Sequence, residues 1–341
     1  MNSSGYNKML NLIFSLPEQF ELGLNIGFEC GLIKPKVIEN VVIAGMGGSA
    51  IGGDIVRTLS LQTGSLPVIV WRDYRLPQAV SPRTLFFAVS YSGNTEETLA
   101  AYREAKRCKS QVIAISSGGR LAQMAKHDGL PLLSVPTGMP PRAAIGLLTI
   151  PILVVLSRFG LYPDCKKGIR DTARLLGRRL HNWHKRAQRI SRLLDGNLPI
   201  VYSTSRLLDV AAYRWQCQLN ENAKVMCHIG QLPEQNHNEI MALSSPRFLA
   251  QKGVLIGLFD RTTHPRTIFR FRATLNLCKD AFSRFIFVNS EGRSALARLF
   301  SVMIIGDLVS VALAKRRGVD PMAIPKIDEL KSMLASYRGK R

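Results

Sequence analysis

Five short, uninterrupted apolar runs in the first half of the chain restrict the fold more than any other feature. They are Val41-Val42-Ile43-Ala44, Val68-Ile69-Val70-Trp71, Leu85-Phe86-Phe87-Ala88-Val89, Val112-Ile113-Ala114-Ile115 and residues 130–135. Apolar runs of this length without alternation suit strands buried on both faces. Helical patterns separate them, such as 95–106, where Asn94 and Glu97 have the spacing of a capping box. Strand–helix repetition of this kind predicts a parallel, doubly wound sheet, and ligands of such sheets sit at the carboxyl ends of the strands.

The second half repeats the theme. An apolar helix at 143–157, interrupted by Pro151, is followed by residues 166–192, which hold ten Lys/Arg and the single acid Asp171. A second α/β series then runs through 198–202, 254–259 and 285–288 and closes with an apolar helix at 294–315. The expected organisation is therefore α/β, with two doubly wound domains, each a parallel sheet flanked by helices. Residues 1–160 form the first, 161–196 a basic connecting helix, and 197–341 the second.

Composition adds limits rather than identity. With 46% apolar and 21% charged residues in 341, the chain can bury enough apolar surface to offset the entropy of ordering, which excludes disorder as a whole-chain description. A net charge of +22 favours anionic partners without choosing among them. Six cysteines (30, 108, 165, 217, 227 and 278) show neither pairing rhythm nor zinc-site spacing, so reduced thiols in a cytoplasm are expected, and no metal site. The N-terminus lacks the pattern of a signal peptide. The stretch 143–157 is shorter than the roughly twenty residues that cross a bilayer, and 301–314 carries Asp307 and reads as a buried helix, so no membrane partner is expected.

Two strand-to-helix loops look suited to phosphate. In Gly45-Met46-Gly47-Gly48-Ser49-Ala50-Ile51-Gly52-Gly53 the backbone can approach a ligand closely, and the amides opening the next helix attract an anion. The glycine order does not match a dinucleotide fingerprint in full, and the lysine of a P-loop is absent. In Ser90-Tyr91-Ser92-Gly93-Asn94-Thr95 three hydroxyls join a glycine and a helix N-terminus. A cap explains one such side chain but not three, so the pair of loops points to a phosphate dianion. In the second half, Asn220-Glu221-Asn222-Ala223-Lys224 follows a helix at 208–219, and residues 232–240 form a polar cluster with Glu234, His237 and Glu239. Carboxylates and a histidine so grouped can serve general acid–base chemistry, with Glu221 and His237 the candidates. Glu234 and Glu239 are expected to bind backbone or cap the next helix.

These motifs, in this order, resemble the bifunctional phosphoglucose/phosphomannose isomerases, a two-domain branch of the sugar-isomerase (SIS) fold. The matching pieces are GMGGSAIGGD at 45–54, SYSGNTEETL at 90–99, PPRAAIG at 140–146, LNENAK at 219–224 and PEQNHNEI at 233–240, which together span nearly the whole chain. The resemblance implies a metal-independent, cofactor-free isomerase of hexose 6-phosphates. It makes Gly48, Ser49, Ser90, Ser92 and Thr95 the phosphate cradle and Glu221 the base that moves a proton between C1 and C2. His237 would open the sugar ring from the partner subunit of a cytoplasmic homodimer with shared active sites. Arg142 would steady the cis-enediolate, and Lys331 would assist at the ring oxygen.

One departure bears on the sugar site: where the family often reads Asp-Pro-Thr-Pro-Val, this chain has Asp320-Pro321-Met322-Ala323-Ile324, which is expected to alter the lining. A sugar-phosphate sensor of the same fold would keep the phosphate loop, but it needs a DNA-binding unit that nothing before Val41 supplies and has no use for Glu221 and His237. An SIS isomerase for another phosphosugar is the nearer alternative. A glutaminase-type relative would need cysteine where Asn2 stands. The basic stretch 166–192, with His181, Trp183 and His184 interleaved, could bind a polyanion, but a solvated helix face is preferred.

Overall fold

The computed structural model of the chain describes residues 3–29, 31, 37–63 and 66–337; Cys30 lies outside them, and the other five cysteines are unpaired. Two helices, α1 (Ser3–Phe14) and α2 (Leu16–Glu29), precede the first sheet. Its strands are β1 (Asn40–Ala44), β2 (Val68–Trp71), β3 (Thr84–Val89), β4 (Gln111–Ser116) and β5 (Leu132–Ser134), interleaved with α3 (Gly47–Ser60), α4 (Glu96–Arg107) and α5 (Gly119–His127). Every pairing is parallel and the order is β2-β1-β3-β4-β5, with Val42 opposite Ile69 on one side and Phe86 on the other. The strand order reverses between β1 and β3, which is where such sheets bind ligands. Both glycine- and serine-rich loops leave these two strands.

The helices α6 (Ile145–Arg158) and α7 (Lys166–Leu194) lead to the second sheet. It contains β6 (Leu198–Ser203), β7 (His228–Gln231), β8 (Gly253–Phe259) and β9 (Arg284–Asn289), again all parallel, in the order β7-β6-β8-β9. The same half of the chain contains α8 (Arg206–Gln218), the short α9 (Arg247–Ala250), α10 (Pro265–Leu277), α11 (Ala295–Arg316) and the exposed α12 (Pro325–Ser336). Strand β7 did not register as an apolar run: it is a sheet edge of sequence His-Ile-Gly-Gln, with only Gly230 buried.

The two-residue period of the strands sorts the core into layers. Val41, Ile43, Leu85 and Phe87 of the first sheet share one cluster with Val201, Val254 and Ile256 of the second, and with α2, α6, α7, α8 and α11 between them. The outer face of the first sheet, with Val42, Phe86 and Ala88, packs on α4 and α5, while Ile200, Tyr202 and Leu255 pack on Phe271 of α10. Helices α6 and α11 are apolar nearly throughout because the shared core buries them on all sides. Residues 145–156 of α6 are all buried, and each such leucine or isoleucine contributes about 1.5–3 kcal/mol. Helix α11 is long and apolar enough to cross a membrane, yet its apolar window is wholly buried inside the protein. The basic helix α7 is likewise a core element: it buries Leu176, Leu180, Trp183 and Ile190 and turns its cations outward.

Candidate active site

Hydroxyls and backbone of the two loops after β1 and β3 are tied to one another. The Tyr91 amide donates to Ser49 Oγ (3.3 Å), Ser90 Oγ donates to Thr95 Oγ1 (2.9 Å), and the Gly93 amide donates to Ser90 Oγ (3.1 Å). Ser49 and Ser90 are buried, Thr95 is half-buried and Ser92 is exposed. Gly93 sits at φ 69°, and a Cβ there would lie 1.9 Å from the Gly118 carbonyl oxygen, so the turn admits only glycine. The cap of α4 differs from the expected one. Thr95 occupies the cap position, and the Asn94 side chain instead accepts from the Arg120 amide (3.1 Å). The first-turn amides of α4, which have no intrahelical acceptor, therefore open beside Ser92 and Thr95.

Arg142 lies on a single 3₁₀ turn, Pro141–Ala143, that other elements hold in place. Tyr91 Oη donates to the Pro136 carbonyl (2.8 Å) and accepts from the Met139 amide (3.0 Å), fastening the approach to this turn to the second loop. Gln19 of α2 donates to the Ala143 carbonyl (2.9 Å) and accepts from the Gly146 amide (3.2 Å). Gly48 packs directly beneath, since a Cβ there would come within 2.8 Å of the Pro141 carbonyl oxygen. The first loop thus borders the arginine itself.

Glu221 was expected just after a separate helix at 208–219. It sits instead in a π-turn, Leu219–Ala223, that continues α8 and ends at Lys224 in the left-handed region, φ 57°. Such widened turns recur at functional sites. The buried Arg142 guanidinium spends all three of its nitrogens here: Nη1 reaches Glu221 Oε2 at 3.2 Å, Nε donates to Asn222 Oδ1 at 2.8 Å, and Nη2 donates to the Pro321 carbonyl at 2.7 Å. Burial pushes this guanidinium below its ordinary value and the Glu221 carboxylate opposes that, leaving a cation at neutral pH. Lys224 Nζ donates to the carbonyls of Glu221 (2.5 Å), Ala323 (2.7 Å) and Asp320 (3.1 Å), and burial followed by the Arg142 charge lowers its ammonium.

The segment 320–323 is therefore gripped through backbone carbonyls, which any side chain leaves in place. Of the altered residues, Ala323 and Ile324 face the neighbouring cavity of about 500 Å³, which Glu221, Lys224, Met226 and Ile327 also bound. The alterations do not remove the cradle.

Among relatives, the chain is 38% identical to the bifunctional phosphoglucose/phosphomannose isomerase of Caldicellulosiruptor bescii over 97% of this chain and 100% of that one. The chain belongs to the bifunctional phosphoglucose/phosphomannose isomerase family. It is also 35% identical to the family member from Thermoplasma acidophilum over 89% of this chain and 93% of the other. Residues 36–130 match the SIS domain, and residues 184–334 match the bacterial phospho-glucose isomerase C-terminal SIS domain. In fold the chain resembles the C-terminal domain of glucosamine-fructose-6-phosphate aminotransferase from Francisella tularensis, with TM-score 0.70 and 14% identity over 92% of this chain and 96% of that one.

For a bifunctional phosphoglucose/phosphomannose isomerase, the remaining expected residues stand apart within a single copy. His237 ends a short 3₁₀ turn, Glu234–His237, with its side chain exposed; no hydrogen bond joins it to Glu221 among the described residues. Lys331 is exposed on α12 and lies 3.9 Å from Asp328. Glu239 does not cap a helix: it accepts from Tyr202 Oη and pairs with His228 Nε2 at 2.7 Å, pinning the 233–241 segment to the second sheet. Glu234 accepts from the Asn238 side chain at 3.1 Å rather than from backbone. Sequence reading gave no role to Tyr91, Gln19 or Asn222. The available signal was polarity inside apolar surroundings, since buried polar groups need partners.

Proposed function

We propose that this chain interconverts fructose 6-phosphate with glucose 6-phosphate and mannose 6-phosphate by proton transfer through a cis-enediolate. The observation that carries the reading is the Arg142–Glu221 contact of 3.2 Å, which puts a fixed cation against a carboxylate beside the loops of the first sheet. Aldose–ketose exchange reduces one carbon as it oxidises its neighbour, so the electrons stay within the sugar. What the protein must supply is one base that takes a proton from one carbon and returns it to the next. Glu221, on a turn braced by Arg142 and Lys224, serves as that base, a contribution worth about 10²–10⁴-fold. Arg142 stabilises the negative charge of the enediolate where it develops.

In this reading the 6-phosphate sits on the loops, with Ser92 and Thr95 donating hydroxyls together with the α4 amides. Ser49, Ser90 and Gly48 shape the cradle from beneath. Phosphate binding fixes the reacting carbons against Glu221 and adds orientation rather than chemistry. His237 opens the ring from the partner subunit of a homodimer, which accords with its exposure and its separation from Glu221. Lys331 assists at the ring oxygen. The division of labour follows residues 1–160 for phosphate and 197–341 for proton transfer, with 161–196 between them. The enzyme acts in the cytoplasm, in glycolysis and gluconeogenesis.

The test is direct. Purified protein with fructose 6-phosphate and EDTA is assayed for glucose 6-phosphate and mannose 6-phosphate separately, beside a Glu221→Gln control. Both products, lost in the variant, are expected. Glucose 6-phosphate alone would restrict the reading to one substrate pair, and no turnover by folded protein would overturn it.

A further inference from the structure

Helix α11 is apolar along its length, yet it buries Asp307 and Ser310 almost completely. Burying such groups is costly unless each is fully bonded. Both are bonded, and both chains of contact end at Arg142. Asp307 receives Arg214 Nε on Oδ1 at 2.9 Å and Arg214 Nη2 on Oδ2 at 2.7 Å, and the same Nη2 donates to the backbone carbonyl of Arg142 at 2.8 Å. Ser310 Oγ donates to the Asp307 carbonyl at 2.6 Å and lies 2.9 Å from Asn222 Nδ2. Asn222 is itself fully buried, and its Oδ1 accepts from Arg142 Nε.

The polarity of this second chain is forced. A serine hydroxyl has one hydrogen. With that hydrogen given to the Asp307 carbonyl, Ser310 can only accept from Asn222. The amide nitrogen must then face α11, and the amide oxygen must face the arginine. The reverse orientation would set an N–H of Asn222 against the N–H of Arg142, leaving a buried donor unpaired.

We infer that Ser310 and Asp307 are positioning residues: α11 fixes the Arg142 guanidinium through Asn222 and its backbone through Arg214. The inference rests on the reading of Arg142 as the group that stabilises the enediolate. A preorganised cation acts through its direction as much as its charge, so loosening it costs rate while leaving phosphate binding intact.

The experiment compares Ser310→Thr with Ser310→Val, which have nearly the same shape and differ in the hydroxyl. Any packing penalty is then shared, and thermal melts confirm that both fold. The threonine variant should keep kcat for fructose 6-phosphate at about ten times that of the valine variant, with KM of the two within about twofold. In an Arg142→Ala background the Thr/Val ratio should fall to about one, because the group being positioned is gone. Equal kcat for the two variants, or an undiminished ratio without Arg142, overturns the inference. Full activity of Arg142→Ala alone would overturn the catalytic reading beneath it, a separate and distinguishable failure.

Discussion

The two sheets reverse strand order in the same way, between β1 and β3 in one and between β6 and β8 in the other, yet their crevices are chemically opposite. In the first, serine and threonine hydroxyls and helix-end amides converge, and among the described residues no carboxylate accepts from those hydroxyls. In the second, a carboxylate is built in. Asp260, directly after β8, accepts from Ser290 Oγ (2.7 Å), Arg298 Nε (2.8 Å), the Thr262 amide (2.9 Å) and the Thr262 hydroxyl. The protein supplies its own anion in the second crevice, where the proposed function has the first take one from solution. A repeated topology offers two sites, and the side chains decide which stays open to ligand.

The largest effect that could break this comparison is on stability. Asp260→Ala strips the partner from Arg298, whose side chain is 8% exposed, and should cost about 3–5 kcal/mol in urea denaturation. The KM for fructose 6-phosphate should hold for the fraction that remains folded. A raised KM with unaltered stability would mean that the second crevice also binds substrate. The low-pH limb gives the same contrast. Burial alone would raise the Asp260 carboxyl, but Ser290, Thr262 and Arg298 outweigh it and hold it below its ordinary value. Its stabilisation is therefore complete above the ordinary carboxylate range near pH 4 and is lost as pH falls through the lower, folded value.

Substitutions in the first crevice should do the reverse. Gly93→Ala forces a side chain onto the Gly118 carbonyl at a left-handed position and should raise KM at least tenfold by distorting the loop. Under the proposed function, Ser92→Ala and Thr95→Ala would each remove one donor to a charged phosphate, worth about 1.5–3 kcal/mol in a buried setting. Ser92 is exposed, so a rise in KM of about five- to tenfold is expected, with kcat and urea midpoint nearly unchanged. A fall in kcat with KM constant would move these hydroxyls from phosphate binding to the reacting carbons.

What was legible in the sequence follows from the same contrast. The strands of the first sheet, and the two loops that leave β1 and β3, could be read because strands of a parallel sheet are continuous apolar runs and each loop motif is contiguous. Edge strand β7 could not, having one buried residue and no apolar period. The pairing of Arg142 with Glu221 spans 79 residues, and no local pattern encodes it; the resemblance to a family named both residues but not their contact. The altered side chains at 320–324 pointed to a changed lining, but that Arg142 and Lys224 grip this segment by its carbonyls could not be read, because backbone contacts leave no trace in the sequence. Asp307 inside an apolar helix was a cue for a buried cation, though only the fold could identify it as Arg214.

The smallest effect tests whether internal anions are a habit of the second sheet or a single case. Glu239 plays the part of Asp260 at the β7 edge, accepting from Tyr202 and pairing with His228. Its hydrogen bond raises the His228 pKa, against the opposing effect of burial. A raised histidine contributes stability that is full below its ordinary value near 6.5 and fades as pH climbs through the folded value. The His228 side chain is 49% exposed, so solvent screening limits the contribution to about 0.5–1 kcal/mol. Thermal melts of the wild type should therefore show a small decline between pH 6 and pH 8 that His228→Gln abolishes. Because Glu239 follows His237 by two residues, loosening this anchor should also broaden the placement of His237. A His228→Gln enzyme with unchanged kcat at pH 6, where the pair is strongest, would confine the pair to stability and show that this anchor does not set the placement of His237.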